Sequence, residues 1–206
     1  MQHIILLGDS TLDNAAYVPI DSDVINLLRN KLPHGWKSTL LARDGSMIND
    51  IKYQLCELPE DASFLVLSVG GNNALSHADI LNESASSVAE VLFKLADIQD
   101  EFQKGYHMML KNVLSYNLPT VICTIYYPRF PDPRVQKLSK TALSIFNDCI
   151  IKEAIGSGLK LIDLRLIFDE DKDYATPIEP SKSGGEKIVN AILNKVKEHG
   201  TDRREI

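Results

Sequence analysis

A serine directly behind an apolar run is the first residue whose type and position suggest chemistry. In the stretch LLGDSTLDNAA, Ser10 follows a run of aliphatic residues and Gly8-Asp9. One interpretation is a helix N-cap, because Asp and Ser are among the commonest capping residues. The other is a nucleophile, because a serine in a strand-to-helix turn carries its own backbone N–H at a helix N-terminus, where it can stabilise an oxyanion.

Two later stretches offer hydrogen-bond donors of the kind that surround a reacting carbonyl oxygen. ARDGSMIND contains Gly45, and SVGGNNALSH contains Asn72. The glycines of both stretches also suit tight turns. A glycine N–H and an asparagine amide are nevertheless the two donor types from which oxyanion holes are made. We expect the neighbouring Asp9, Arg43 and Asn73 to contact substrate.

The elements that must position these residues follow an α/β pattern. Five β-branched runs alternate with amphipathic segments, which predicts a parallel sheet with helical crossovers. The strands are predicted to begin at His3, Lys37, Phe64, Thr120 and Leu159. The helices are predicted over about 22–32, 49–58, 84–116, 135–155 and 185–198, with Ser22 and Asn49 as caps and Gly105 as a candidate break. Because ligands of such sheets bind beyond the carboxyl ends of the strands, the three stretches are expected at one edge.

The order and spacing of these motifs resemble the SGNH hydrolases, also called GDSL esterases and lipases. Residues 8–10 match the first block of that family, Gly45 the second, and residues 70–73, Gly-Gly-Asn-Asn, the third, which is usually Gly-x-Asn-Asp. The resemblance covers nearly the whole chain. It implies a flavodoxin-like three-layer α/β/α sandwich with a five-stranded parallel sheet. It also implies Ser10 as nucleophile, with the Ser10 and Gly45 N–H groups and the Asn72 amide as the oxyanion hole.

The sequence departs from that family at its fourth block, which is usually Asp-x-x-His. The corresponding stretch, TPIEPSKSGGEKI, carries Thr176 and Glu179 at those two positions. The two replacements are consistent with each other, because a carboxylate has no tautomer for an aspartate to fix and would be repelled by a second acid. We expect Glu179 to act as the general base. The alternative is His77, which is otherwise a surface or capping histidine.

A glutamate base has a moderate chemical cost. The ordinary pKa values of Glu and His, about 4.3 and 6.5, differ by about 3 kcal/mol in proton affinity. Only part of that difference is felt in the transition state, so a rate loss of about ten- to a hundredfold is expected. Burial beside apolar groups such as Ile178 would raise the pKa of Glu179 and recover some of the loss.

The proline-rich loop after the fourth strand, YYPRFPDPRVQ, is a further candidate for substrate contact. Tyr126, Tyr127, Arg129 and Phe130 lie in it, and Arg129 would suit an anionic group. The alternative is that the prolines and Asp132 only end a strand and cap the next helix. Core packing is an equal alternative for Phe130.

Composition restricts the class of protein. The 206 residues suit one domain, which we place at 1–199 with a tail at 200–206. With 22 Lys+Arg against 28 Asp+Glu and no basic cluster, a nucleic-acid partner is not expected. The cysteines, Cys56, Cys123 and Cys149, lie far apart in apolar sequence, so we expect buried thiols in a reducing compartment and no zinc. With no signal peptide or spanning segment recognised, the prediction is a cytoplasmic protein without a membrane partner.

Three functions remain open from the sequence. The first is a serine hydrolase that cleaves an ester or other acyl bond through an acyl-Ser10 intermediate, without a metal or organic cofactor. The second is a binding protein that keeps the scaffold and has lost efficient catalysis, and the third is an acyltransferase that uses the same site. Because no apolar lid or membrane helix is recognisable, we expect a small-molecule ester or acylated substrate that is small or polar. The oligomeric state is left open.

Overall fold

The computed structural model describes residues 2–202, with side chains for residues 2–199, and it contains a five-stranded parallel sheet. The strands are β1 His3–Gly8, β2 Lys37–Leu40, β3 Phe64–Ser68, β4 Thr120–Cys123 and β5 Lys160–Ile162. Their order across the sheet is β2-β1-β3-β4-β5. The predicted strands and the predicted three-layer α/β/α arrangement are therefore confirmed.

The central strand β1 is buried on both faces because its side chains alternate between two cores. Ile4 and Leu6 belong to one hydrophobic cluster, and Ile5 and Leu7 belong to the other. All four side chains are fully buried. A near-continuous apolar strand is thus needed at this position, and its carboxyl end carries the candidate serine.

In residues 2–202, which the structure describes, six α-helices pack around the sheet. They are α1 Val24–Lys31, α2 Ile51–Leu55, α3 Gly71–Ser76, α4 Val88–Leu114, α5 Pro133–Gly156 and α6 Lys182–Asp202. On one face α1 and α6 contribute Leu28 and Ile192 to the core. On the other face α4 and α5 contribute Leu110 and Ile150. Among the described residues, no helix is long and apolar enough to cross a membrane.

The long predicted helix over 84–116 begins later than expected. A separate 3₁₀ helix, Ala78–Asn82, follows α3, and α4 starts behind Ser87, whose hydroxyl accepts the N–H of Glu90 at 3.1 Å. Gly105 does not break α4. A Cβ on Gly105 would lie 2.7 Å from Ile48 Cδ1, so this glycine allows α4 to pack closely against the segment before α2.

Other predicted boundaries differ by a few residues. The N-cap of α1 is Asp23, whose carboxylate accepts from Asn26 N–H at 3.2 Å, and Ser22 precedes it. The helix predicted over 49–58 is shortened to α2, which follows a 3₁₀ helix at Ile48–Asp50. The predicted tail over 200–206 is helical as far as Asp202, and residues 203–206 lie outside the described part of the chain.

The prediction of three buried thiols is wrong for one cysteine. Cys123 and Cys149 are buried, whereas Cys56 is exposed. The reason is local: α2 is only five residues long, and Cys56 caps its carboxyl end, where its Sγ contacts the carbonyl of Lys52 at 3.2 Å.

A short antiparallel hairpin that the sequence did not predict precedes α6. It pairs β6 Tyr174–Thr176 with β7 Glu179–Pro180. Strands of two or three residues carry too little alternation to be recognised from a pattern. The hairpin matters because β7 contains the candidate base.

Candidate active site

Gly8, the last residue of β1, fixes the start of the turn that carries Ser10, because β1 lies very close to β3 at this point. Gly8 has a φ of +139°, and a Cβ there would lie 1.8 Å from the carbonyl oxygen of Ser68 on β3. Only glycine fits so close an approach with that backbone conformation. The buried Gln54 side chain then brackets Gly8, accepting its N–H and donating to its carbonyl, each at 2.8 Å. The end of β1 is thereby fixed, and with it the start of the turn.

Asp9 is a buried acid beside the candidate nucleophile. Its carboxylate accepts the backbone N–H of Thr11 at 3.0 Å, so it closes the turn locally. Burial raises the pKa of Asp9 to about 6, and the hydrogen bonds from Thr11 oppose that rise. Asp9 therefore holds a proton more readily than an ordinary aspartate.

The loop after β2 is tied to the loop after β1. Arg43 N–H donates to the carbonyl of Gly8 at 3.1 Å, and Asp44 N–H donates to the carboxylate of Asp13 at 2.9 Å. Gly45 follows with a φ of +78°. In the described part of the chain, the backbone N–H groups of Gly45 and Ser10 donate no hydrogen bond. Both donors are therefore free to bind a ligand.

The loop after β3 is tied to the Gly45 loop through two asparagines. The Asn72 amide donates to the carbonyl of Ser46 at 2.9 Å, and the Asn73 side-chain oxygen accepts the N–H of Ile48 at 3.1 Å. The Asn72 amide nitrogen keeps a second N–H beyond the one bonded to Ser46. The three predicted loops thus meet at one edge of the sheet.

Glu179 lies against the candidate nucleophile. Ser10 Oγ donates to Glu179 Oε1 at 3.2 Å, and both residues are buried. Glu179 Oε2 is also buried and has no hydrogen-bond partner among the described residues. Burial raises the pKa of Glu179 to about 7; the Ser10 hydrogen bond opposes the rise, and the charges of Asp44 and Asp9 add to it. A carboxyl group with this pKa can accept and return a proton near neutral pH.

The backbone on both sides of Glu179 is held by buried polar side chains. Tyr126 Oη donates to the carbonyl of Ile178, and the Asn14 amide donates to the carbonyl of Pro180 at 3.1 Å. Asn14 is itself fixed, because its side-chain oxygen accepts the N–H of Val24 at the start of α1. These bonds hold β7 over the end of β1 and orient the carboxylate.

A cavity of about 270 Å³ opens beside Ser10 and Glu179. Its walls come from α3, the following 3₁₀ helix, α4, α5 and the loop after β4. Most of its lining side chains are apolar, among them Leu81, Leu95, Ile98, Val135, Leu143 and Phe146. Tyr126 and Phe130 of the loop after β4, which the sequence suggested for substrate contact, line this cavity. Its other walls could not be predicted, since they come from segments far apart in the chain.

The structure does not bring every predicted residue to this cavity. The Arg43 guanidinium pairs with Glu57 at the surface, and the Arg129 guanidinium pairs with Asp171 at 2.6 Å. Both arginines are therefore occupied elsewhere. Their side chains are not among the residues that line the cavity.

Two predicted residues from other loops contribute differently. His77 lines the cavity and stacks on Phe146, with ring centroids 6.4 Å apart, while Ser10 Oγ bonds to Glu179. Tyr127 lies outside the lining, and its carbonyl accepts the hydroxyl of Tyr174 at 2.7 Å. Its role is to hold the β6–β7 hairpin.

Gln54 and Asn14 are the positioning residues that sequence reasoning did not assign. Gln54 lies on the buried face of α2, and Asn14 lies four residues beyond the serine. Both are fully or almost fully buried. A buried side-chain amide usually bonds other buried polar groups, as these two amides bond backbone N–H and C=O groups. Their burial depends on tertiary packing, so the sequence does not indicate this role.

One group of acidic side chains in the described residues has the spacing of a metal site. It consists of Asp169, Glu170 and Asp173. Lys187 Nζ lies among them and donates to Asp173 at 2.7 Å. This ammonium already supplies a positive charge, and the group anchors α6 to the segment before the hairpin.

Comparison with solved structures identifies the fold. An acetyl xylan esterase aligns at 17% identity with a TM-score of 0.69, covering 94% of this chain and 99% of that one. A phospholipase A1 from Streptomyces albidoflavus aligns at 15% identity with a TM-score of 0.70 and the same coverage. A member of the lipolytic protein G-D-S-L family from Veillonella parvula aligns at 16% identity and 0.63, covering 94% and 97%. No family model and no curated protein matches the sequence. The chain therefore has the fold of the GDSL, or SGNH, esterases and lipases.

Proposed function

We propose that the protein is a serine esterase in which Ser10 is the nucleophile and Glu179 is the general base. The observation that carries the proposal is the buried hydrogen bond of 3.2 Å from Ser10 Oγ to Glu179 Oε1. A hydroxyl becomes a competent nucleophile when a base within hydrogen-bond reach takes its proton. With a pKa of about 7, Glu179 has a proton affinity close to that of an ordinary histidine.

In the first half-reaction Ser10 Oγ forms a bond to the acyl carbon while its proton passes to Glu179. The carbonyl oxygen becomes an oxyanion that accepts hydrogen bonds from Ser10 N–H, Gly45 N–H and the Asn72 amide. When the tetrahedral intermediate collapses, the bond to the leaving alkoxide breaks and Glu179 returns the proton to it. An acyl-Ser10 ester and a free alcohol result.

In the second half-reaction water attacks the acyl carbon and gives one proton to Glu179. Collapse breaks the bond to Ser10 Oγ, which recovers the proton from Glu179, and the product leaves as a carboxylic acid that gives its remaining proton to solvent. No aspartate is needed to orient the base, because a carboxylate has equivalent oxygens and no tautomers. Tyr126 and Asn14 orient it instead, through the backbone of β7.

A fluorophosphonate probe tests the nucleophile, and an activated acetate ester tests turnover. We expect stoichiometric labelling that is lost in Ser10→Ala, together with ester turnover that falls about a hundredfold or more in Glu179→Gln. Ser76→Ala, which changes an exposed serine at the end of α3, serves as the matched control. Complete inertness of the parent protein towards the probe would instead favour a binding protein built on the same scaffold.

A further inference from the structure

The walls of the cavity beside Ser10 suit a hydrocarbon chain better than a charged group. Apart from the polar residues around Ser10, its lining is dominated by aliphatic and aromatic side chains from α3, α4 and α5. Its lining contains no Lys or Arg, within the residues that the structure describes, and its two carboxyl groups, Asp9 and Glu179, would repel an anion. Arg43 and Arg129, the two arginines that the sequence suggested for substrate contact, form ion pairs outside it.

We propose that this cavity binds the acyl chain, so that the preferred substrates are neutral esters of straight-chain acids. This inference rests on the proposed esterase function, since it places the ester carbonyl at Ser10. A methylene takes about as much space as a water molecule, about 30 Å³, so a cavity of about 270 Å³ accommodates a chain on the order of six to ten carbons. The acyl chain runs between α4 and α5. This substrate class differs from the small or polar one that the sequence led us to expect.

The outer end of the cavity is open and apolar. Leu75, Leu81 and Val135 all line it and are 48%, 45% and 42% exposed. Exposed apolar side chains around an opening are typical of a ligand-binding groove. An acyl chain longer than the cavity would project among these three residues. The increase in kcat/KM with chain length should therefore level off and not reverse sharply.

The size of the preference follows from apolar burial. Each buried methylene contributes about 0.8 kcal/mol, which corresponds to about a fourfold change in kcat/KM. A partly open cavity reduces this to about two- to fourfold for each methylene. Six methylenes separate an octanoate from an acetate, so kcat/KM should rise by about 50-fold or more.

The test compares the p-nitrophenyl esters of acetate, butyrate, hexanoate and octanoate, each below its micelle concentration. The ratio of kcat/KM for octanoate to that for acetate should be high in the parent protein. It should fall at least tenfold in Ala142→Phe, which fills the cavity from α5. Thr141→Phe adds the same ring at the neighbouring exposed position, outside the lining, and should leave the ratio unchanged.

A second variant guards against misfolding of the first. Ala78→Asp introduces a charge at an exposed cavity position in the 3₁₀ helix, where no core packing is disturbed. It should also lower the octanoate to acetate ratio at least tenfold. A flat or falling chain-length series in the parent protein, or an unchanged ratio in both cavity variants, would overturn the inference.

Binding without turnover separates this inference from the proposed function. Calorimetry on Ser10→Ala measures the binding of two neutral probes, octanamide and butanamide. The Kd of octanamide should be at least tenfold lower than that of butanamide. If the parent hydrolyses no ester and octanamide still binds in this order, the esterase proposal fails and the acyl cavity stands. If the acetate ester is hydrolysed, the octanoate ester has no higher kcat/KM and octanamide does not bind, the acyl cavity fails and the esterase proposal stands.

Discussion

Replacing Glu179 with glutamine removes a buried carboxyl group whose ionisation opposes folding. Burial raises its pKa from 4.5 to about 7, so between these two pH values the folded protein binds a proton that the unfolded chain has released. The stability that Glu179 contributes is full below about pH 4.5 and is lost as the pH rises through about 7. A pKa difference is worth about 1.4 kcal/mol for each unit, so the free energy of unfolding would fall by about 3 kcal/mol over this range. Because the cavity beside Glu179 admits solvent, we expect a smaller fall of about 2 kcal/mol.

The assay is urea unfolding of the parent and of Glu179→Gln at pH 5 and pH 8.5. The parent should lose about 2 kcal/mol more in free energy of unfolding between these two pH values than the variant does. Comparing the two pH values cancels the pH-independent effect of the glutamine amide. Glu60→Gln, which changes an exposed carboxylate, should behave like the parent.

The same variant should lose ester turnover by about a hundredfold or more at pH 8.5, because the amide cannot take the Ser10 proton. An identical pH dependence of unfolding in parent and variant would refute the assignment of a raised pKa to Glu179. Parental turnover in the variant would remove Glu179 from the mechanism. The two readouts are independent, since the first concerns burial and the second concerns proton transfer.

Three further outcomes follow from the same geometry. In the parent, kcat/KM should rise with pH to a plateau with a midpoint near 7, because Glu179 must be ionised to act as a base; a pH-rate profile already flat above pH 5 would contradict its raised pKa. Asn72→Ala should lower kcat by about 100- to 1,000-fold with little change in KM, measured by steady-state kinetics, and an unchanged kcat would take the amide out of oxyanion stabilisation. Gly8→Ala should destabilise the fold by more than about 3 kcal/mol in urea unfolding, because its Cβ would lie 1.8 Å from Ser68 O; stability within about 1 kcal/mol of the parent would contradict the close approach of β1 and β3.

The strands and the loops behind them were predictable because their signals are local. A strand buried on both faces is apolar along most of its length, and β1 has that pattern in the four aliphatic residues between His3 and Gly8. Parallel strands end at one edge, so the positions of Ser10, Gly45 and Asn72 after three strands predicted their meeting. The hydrogen bonds that join these three loops are consistent with that prediction. Boundaries such as the start of α4 were predicted less accurately. The N-cap at Ser87 and the separate 3₁₀ helix before it make α4 begin later than the apolar pattern alone indicated.

The sequence by itself determined the fold class, the order of the motifs and the absence of a histidine at the fourth block. Only the tertiary structure decided that Glu179 lies against Ser10, that its burial raises its pKa, and that Arg43 and Arg129 pair with other acids. It alone decided where the apolar cavity lies. The physical reason is that periodicity and turn chemistry act over a few neighbouring residues, whereas burial, charge pairing and cavity shape depend on segments far apart in the chain.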